Sequence, residues 1–551
     1  MVTETGGGAR YTLPMRRTML LLLLTSLLLA EVPARRRTGF DAISETRLRA
    51  DLTFLASESM EGRMSLQRGS AAAVDWLVSE YAKIGLKPAN GDSYLQPMTI
   101  IEYKMESSEA KLVVEHVGKK KEFRMGQGIT GSFPNDVSLN APIVFAGYGI
   151  TAKELGYDDY AGLDARGKIV LVFDHEPQES DARSRFNGVG NTIYANSRIK
   201  ILNAQAHGAL AVLLMREPNS THPTNQQRVA RIPANPNRLR RLLPEALEDN
   251  ETKIPILNVS EELTKELEPG ANAFSAAQSA IDADLKPHRI ELGTTAHLRL
   301  AVAQRRRATA YNLVGLIEGS DPALKAETII YSAHYDHDGT GSGDTYPGAD
   351  DNGSGTVGVV ELARAFMANP EKPKRSLLFI VYAAEERGLI GSYYYAAHPL
   401  RPLATTRAII NFDMIGRNET PSRQTDGLID IAADTSNEVN LIGGIYSPDF
   451  RKTVERENEW VGLRLNDKWD RDAALNVFQR SDQFPFAVKG IPAFWWFTGF
   501  HPDYHQTTDT VEKINFAKMR KILRLAYLTG WDFGDGETPK FIANPMPVGS
   551  R

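Results

Sequence analysis

The stretch Thr328-Ile-Ile-Tyr-Ser-Ala-His334-Tyr-Asp336 decides the fold. Its first six residues form a short apolar run without alternation, which marks a strand buried on both faces, and the run stops at groups able to bind a metal. The same pattern recurs outward from it. Residues 312–317, 376–383, 408–412 and 492–497 read as further buried strands, and 356–367 and 390–398 between them read as helices. Buried strands separated by helices predict an α/β fold: a mixed, mainly parallel sheet flanked by helices. Upstream, Val74, Leu77, Val78 and Tyr81 recur at helical spacing, and Gly85 closes that segment.

The 551 residues are enough for several structural units. Residues 126–290 differ from their surroundings, with short strands at 141–146, 168–173 and 254–259 and a helix at 199–206, and they read as an inserted strand-rich domain. The expected organisation is a leader over 1–34, a first part of the catalytic domain over 41–125, the insert over 126–290, the rest of the catalytic domain over 291–535, and a tail over 536–551. His175, His207 and His222 of the insert read as scattered, so the insert is expected to act as a lid or access element.

Composition removes several classes of function. With 64 Lys plus Arg against 68 Asp plus Glu, the net charge of −4 gives no footing for nucleic acid or an anionic membrane. The triplets at 35–37 and 305–307 are too short to change that; they read as a processed junction and a solvated turn. Zero cysteines exclude disulfides, thiolate nucleophiles and Cys-type zinc sites, so any metal must rest on His and carboxylates. The apolar run at 19–30, preceded by Arg16 and Arg17, has the shape of a signal peptide and is short for a membrane span. Cleavage near Ala34, an exported bacterial protein of the periplasm or medium, and no lasting membrane anchor are the expectations.

Ligands of such sheets lie beyond the carboxyl ends of the strands. There the sequence places His334 and Asp336, Glu385 and Glu386, Asp413, and Tyr504 and His505; Asp350-Asp351-Asn352-Gly353-Ser354-Gly355 opens the helix after the first of these strands. Converging carboxylates repel unless cations hold them. Three carboxylates with two divalent ions and one hydroxide reach neutrality, and His with carboxylate donors suits Zn²⁺, with Mn²⁺ or Co²⁺ as substitutes. Paired ions activate a water and polarise a carbonyl, as in two-metal hydrolases.

The series His334-x-Asp336, Asp350-Asp351-Asn352-Gly353-Ser354-Gly355, Glu385-Glu386, Asn411-Phe412-Asp413-Met414-Ile415-Gly416 and Tyr504-His505-x-x-x-Asp509 resembles the M28 family of zinc peptidases. The insert, most visibly Gly167-Lys-Ile-Val-Leu-Val172, resembles a protease-associated domain. The resemblance implies a zinc aminopeptidase-like fold with two Zn²⁺: His334 and Asp413 on one, Glu386 and His505 on the other, and Asp351 bridging, with Asp350 the competing register. It further implies Glu385 as general base acting on a metal-bridging hydroxide, Asp336 as the partner orienting His334, and Tyr504 as a hydrogen-bond donor to the intermediate. The expected activity is removal of N-terminal residues from peptide substrates.

A carboxypeptidase or dipeptidase remains an alternative, because Arg387, Arg417 and Arg480 lie near the motifs and one could receive an α-carboxylate. A metal-free binding or receptor protein is the alternative of another class. Phe494-Trp-Trp-Phe497 reads as core packing or as a wall for an apolar side chain, and His337, His398 and His501 read as surface or loop residues.

Overall fold

The computed structural model describes residues 32–187, 190–220, 243–341, 343–425, 427–472 and 474–543. The apolar run at 19–30, His222 and most of the tail lie outside them. Among the described residues no helix is long and apolar enough to cross a membrane.

The catalytic unit is built on a ten-stranded sheet. Its centre is parallel: Ser376–Tyr382, Thr328–His334, Thr406–Phe412 and Ala493–Phe497 lie side by side in that order. The flanks are antiparallel, with Val302–Ile317 and Leu95–Met105 on one side and Glu438–Ile442 on the other. The sheet is therefore mixed as expected, with a parallel centre and one further parallel pair, Glu438–Ile442 with Arg464–Asn466, at its edge.

Every residue of the first two central strands is buried, because both faces are covered. Ile329, Tyr331 and Ala333 point into one core with Leu523 and Leu528 of the helix Phe516–Asp535, while Ile330 joins Tyr395 and Phe486 in the core on the opposite face. This is the period-two alternation of a strand with two apolar environments instead of one. The upstream helix spans Arg68–Ile84 and ends on Gly85 at φ 82°, a left-handed cap that glycine adopts without strain.

The insert is a closed barrel of eight strands. Three of these strands, Lys111–His116, Lys119–Met125 and Thr294–Leu300, lie outside the expected limits of 126–290. They bury one face only, as in Thr294, Ala296, Leu298 and Leu300, so composition does not shift where the domain begins. Of the arginine triplets, the second differs from the expected turn, lying in a strand, and the first is helical. Arg35 and Arg36 sit in the helix Ala34–Ala42 and pair with Asp535 and Asp532 of the C-terminal helix at 2.6 Å each. Arg305, Arg306 and Arg307 belong to the long strand Val302–Ile317, on its exposed part.

Candidate active site

The strand ends deliver the expected donors to one place. His334 is the last residue of Thr328–His334, Asp413 follows Thr406–Phe412, and Glu385 and Glu386 form a short 3₁₀ turn after Ser376–Tyr382. Asp351 lies on the irregular turn Ala349–Ser354. This turn is tied to its surroundings by Asn352, whose amide donates to Phe412 O at 2.9 Å and whose oxygen accepts from Gly355 and Met414. Asp509 accepts the backbone N–H groups of Asp350 and Asp351 at 2.9 and 3.1 Å.

Asp351 faces two imidazoles with two different oxygens. Its Oδ1 is 3.7 Å from His334 Nε2, and its Oδ2 is 3.0 Å from His505 Nε2. Around His334 Nε2 stand Asp413 Oδ1 at 3.5 Å and Glu385 Oε2 at 3.6 Å; around His505 Nε2 stands Glu386 Oε2 at 3.5 Å. Two donors of one tetrahedral Zn²⁺, each about 2.0–2.2 Å from it, lie about 3.4 Å apart. The separations match that spacing, and His334 Nε2, fully buried, makes no hydrogen bond. The donor set therefore fits two ions sharing Asp351.

The supporting contacts correct some expectations. Asp336 does not reach His334 with its carboxylate, which stays 3.7 Å from Nδ1; its backbone oxygen lies closer, at 3.2 Å. The carboxylate instead accepts the N–H groups of Glu385 and Glu386 at 3.0 and 3.2 Å, holding the turn that carries both glutamates. Asp350 is committed elsewhere, accepting from Gly416 N at 2.7 Å and facing His501 at 3.2 Å, which favours Asp351 as the residue inside the cluster.

His337 and His501 are not surface residues: both are buried. His337 Nδ1 is 2.8 Å from Glu386 Oε1, and Asp338 Oδ2 is 3.1 Å from His505 Nδ1, so adjacent residues each orient one candidate ligand. Ser481 donates to Asp413 Oδ2 at 2.6 Å. The sequence signal for His337 and Asp338 was their place directly after His334-Tyr335-Asp336.

Arg63 is buried, and its guanidinium donates to Leu55 O, Tyr335 O, Pro347 O and Gly348 O at 2.7–2.8 Å, clamping the two segments that carry His334 and Asp351. Nothing in its sequence surroundings marks it out. Of the aromatic run, Phe494 and Trp496 pack in one core, whereas Trp495, Met414 and Phe500 line the pocket that holds Asp351, Glu385 and His505. A cavity of about 730 Å³ opens beside Tyr504, walled by Pro421, Arg423, Ile429 and Ile431 and by His501, Pro502 and Gln506.

The electrostatics follow from burying several carboxylates together. Burial pushes the Glu385 carboxyl well above its usual range, with His334 opposing and Asp413 adding to the rise. Burial likewise raises Asp413. Asp351 is driven the other way: burial is outweighed by His505, His337 and His334, which hold it low. Burial also lifts the Tyr504 phenol, keeping it neutral, and Arg480 Nη2 lies 3.3 Å from its oxygen.

The insert also differs from expectation. His175, Glu179 and Glu217 come within reach of one another, so its ligand-type residues are not all scattered. In addition, its strand Glu245–Leu247 leaves the barrel and joins the edge of the catalytic sheet.

Residues 312–529 match the model of peptidase family M28, and residues 139–267 match that of the PA domain. In the region that carries the donors, the chain is similar to peptidase family M28. It is an enzyme that hydrolyses peptide bonds. Aminopeptidase YwaD of Bacillus subtilis is 29% identical over 404 residues, 72% of this chain and 67% of that protein. Leupeptin-inactivating enzyme 1 of Streptomyces exfoliatus is 31% identical over 209 residues, 37% of this chain and 39% of that one. Among solved structures, the aminopeptidase from Aneurinibacillus sp. strain AM-1 aligns at 18% identity with a TM-score of 0.47, covering 92% of this chain and 98% of that one.

Proposed function

We propose that this chain is an exported di-zinc aminopeptidase. The observation that carries the reading is the division of Asp351, one oxygen toward His334 and the other toward His505. His334 and Asp413 would hold one Zn²⁺, Glu386 and His505 the other, with Asp351 shared. Bound there, the ions supply Lewis acidity that polarises the scissile carbonyl and lowers the pKa of water.

The remaining steps belong to the protein. Glu385 projects into the same space as His334 and Asp413 without being needed to complete either donor set. Its carboxylate takes a proton from the attacking water and returns it to the leaving amine. Asp336 keeps that carboxylate in place through the two backbone N–H groups it accepts. Tyr504, neutral and contacted by the Arg480 guanidinium, presents its O–H to the carbonyl oxygen as negative charge develops there.

Release of N-terminal residues is favoured over the carboxypeptidase alternative by the state of the three arginines. Arg417 is tied to Asp503 at 2.8 Å and lies 3.6 Å from Asp509, Arg387 faces Glu245, and only Arg480 lines the pocket that holds Asp351, Glu385 and His505. Two of the three receivers for an α-carboxylate are thus committed elsewhere. The aminopeptidase name of the Bacillus subtilis relative points the same way, and the leader-like run at 19–30 supports export.

The test is Glu385→Gln assayed on an aminoacyl p-nitroanilide and on an N-blocked dipeptide. Parent activity confined to the first substrate, with turnover of the variant falling about 10²–10⁴-fold at unchanged zinc content, supports the reading. Preference for the blocked substrate overturns the aminopeptidase assignment, and near-parent turnover removes Glu385 from the mechanism.

A further inference from the structure

We propose that Glu245, contributed by the insert, is a positioning residue for the catalytic turn Glu385–Arg387 and acts on it through Arg387. The inference rests on Glu385 being the general base. It goes further in making the insert part of the active-site scaffold.

The insert reaches the catalytic unit in an unusual way. Its strand Glu245–Leu247 pairs antiparallel with the outer strand Leu95–Met105 of the main sheet, with Glu245 opposite Glu102 and Leu247 opposite Ile100. Main-chain pairing on a sheet edge fixes where each side chain falls. The Glu245 side chain is only 2% exposed. Its Oε2 accepts from Ser65 Oγ at 2.8 Å, and its Oε1 lies 3.7 Å from Arg387 Nε.

Arg387, itself 7% exposed, directly follows Glu386 on the 3₁₀ turn. On the side of the insert it faces Glu245, whose carboxyl is raised by burial while the charge of Arg387 opposes the rise. Asp336 is the group that accepts the N–H groups of Glu385 and Glu386. With Glu245 ionised, the guanidinium has an anion on its far side. Without that charge, Arg387 loses its anionic partner on the insert, and the turn it belongs to is held from the Asp336 side alone. A shift of about 1 Å in a catalytic group costs on the order of 10²-fold in rate.

The probe is Glu245→Gln in the full chain, since glutamine keeps the size and the acceptor for Ser65. Its kcat on a single-residue p-nitroanilide is expected to fall about 10- to 100-fold, with KM within about 2-fold and the melting temperature within a few degrees. Zinc affinity, read by chelator competition, should weaken because Glu386 sits on the same turn. Glu245→Asp, which restores the charge, should recover part of kcat. The loss should be the same for short and long peptides, whereas a lid affects long ones selectively.

Parent-like kcat and zinc affinity in Glu245→Gln overturn the inference. So does a fall in melting temperature with unchanged kcat per folded molecule, which is the mark of a purely structural contact. Glu385→Gln measured alongside separates the two failures: if that variant keeps parent turnover, the general-base reading fails; if it is inactive while Glu245→Gln is normal, only the role of Glu245 fails.

Discussion

Arg63→Met removes a single side chain and breaks four contacts at once. The guanidinium is fully buried, and its four acceptors are backbone carbonyls of Leu55, Tyr335, Pro347 and Gly348. Burial lowers its pKa to about 10 while Asp351 and Asp336 oppose the fall, so it remains charged at neutral pH. A hydrogen bond from a charged donor contributes about 1.5–3 kcal/mol net, and a stranded buried carbonyl costs about 1–3 kcal/mol. Water entering the vacated space and relief of the guanidinium's desolvation offset part of this, so about 1 kcal/mol per contact is a conservative value and gives about 4 kcal/mol. For a chain of 551 residues the corresponding drop in melting temperature is about 3–6 °C.

The assay is thermal unfolding of the chelator-treated protein, which isolates the clamp from metal binding, followed by zinc titration below the new transition. Because Tyr335 follows His334 and Gly348 precedes Asp351 by three residues, zinc affinity should fall at least about 10-fold in the surviving fold. A midpoint within about 2 °C of the parent, with parent zinc affinity, would refute the reasoning.

Asp336→Asn leaves one oxygen where two backbone donors are now served, and kcat should drop about 10²-fold on an aminoacyl p-nitroanilide; a change under about 3-fold would show that the turn holds itself. Asp351→Asn should lower zinc stoichiometry by at least one ion per chain, read by elemental analysis, and a parent count would deny it a shared role. Chelation should abolish activity and Zn²⁺ should restore it. Burial raises Asp470, which accepts from Gly443 and Gly444, from 3.8 to about 7. The folded state then retains a proton that the unfolded chain releases, so this contribution to stability is complete below pH 3.8 and is lost as pH rises through about 7. Chemical unfolding of metal-free protein between pH 5 and 7 should lose up to about 1.4 kcal/mol per pH unit from this group. Asp470→Asn should flatten that slope, and an unaltered slope would show that the carboxyl titrates normally.

The central strands were legible because burial on both faces writes itself into consecutive residues, and the principal donors because such strands deliver their last residues to one rim. The two-sidedness of the sheet is visible in Thr328–His334 before any neighbour is known. The barrel's outer strands were less legible, since Lys111–His116 and Thr294–Leu300 alternate like any surface strand, and only closure of the barrel shows which face turns inward.

By itself, then, the sequence determined the layered α/β architecture, the order of the donors and their chemistry, all of which depend on local pattern and residue type. Tertiary structure decided that Asp336 gives its carboxylate to the Glu385–Glu386 turn and its backbone oxygen to His334, that His337 and Asp338 stand behind Glu386 and His505, that Arg63 clamps two loops, and that Glu245 of the insert reaches Arg387. Each of these depends on the direction in which a side chain points across a junction of segments distant in sequence, and the packing of the folded chain sets that direction.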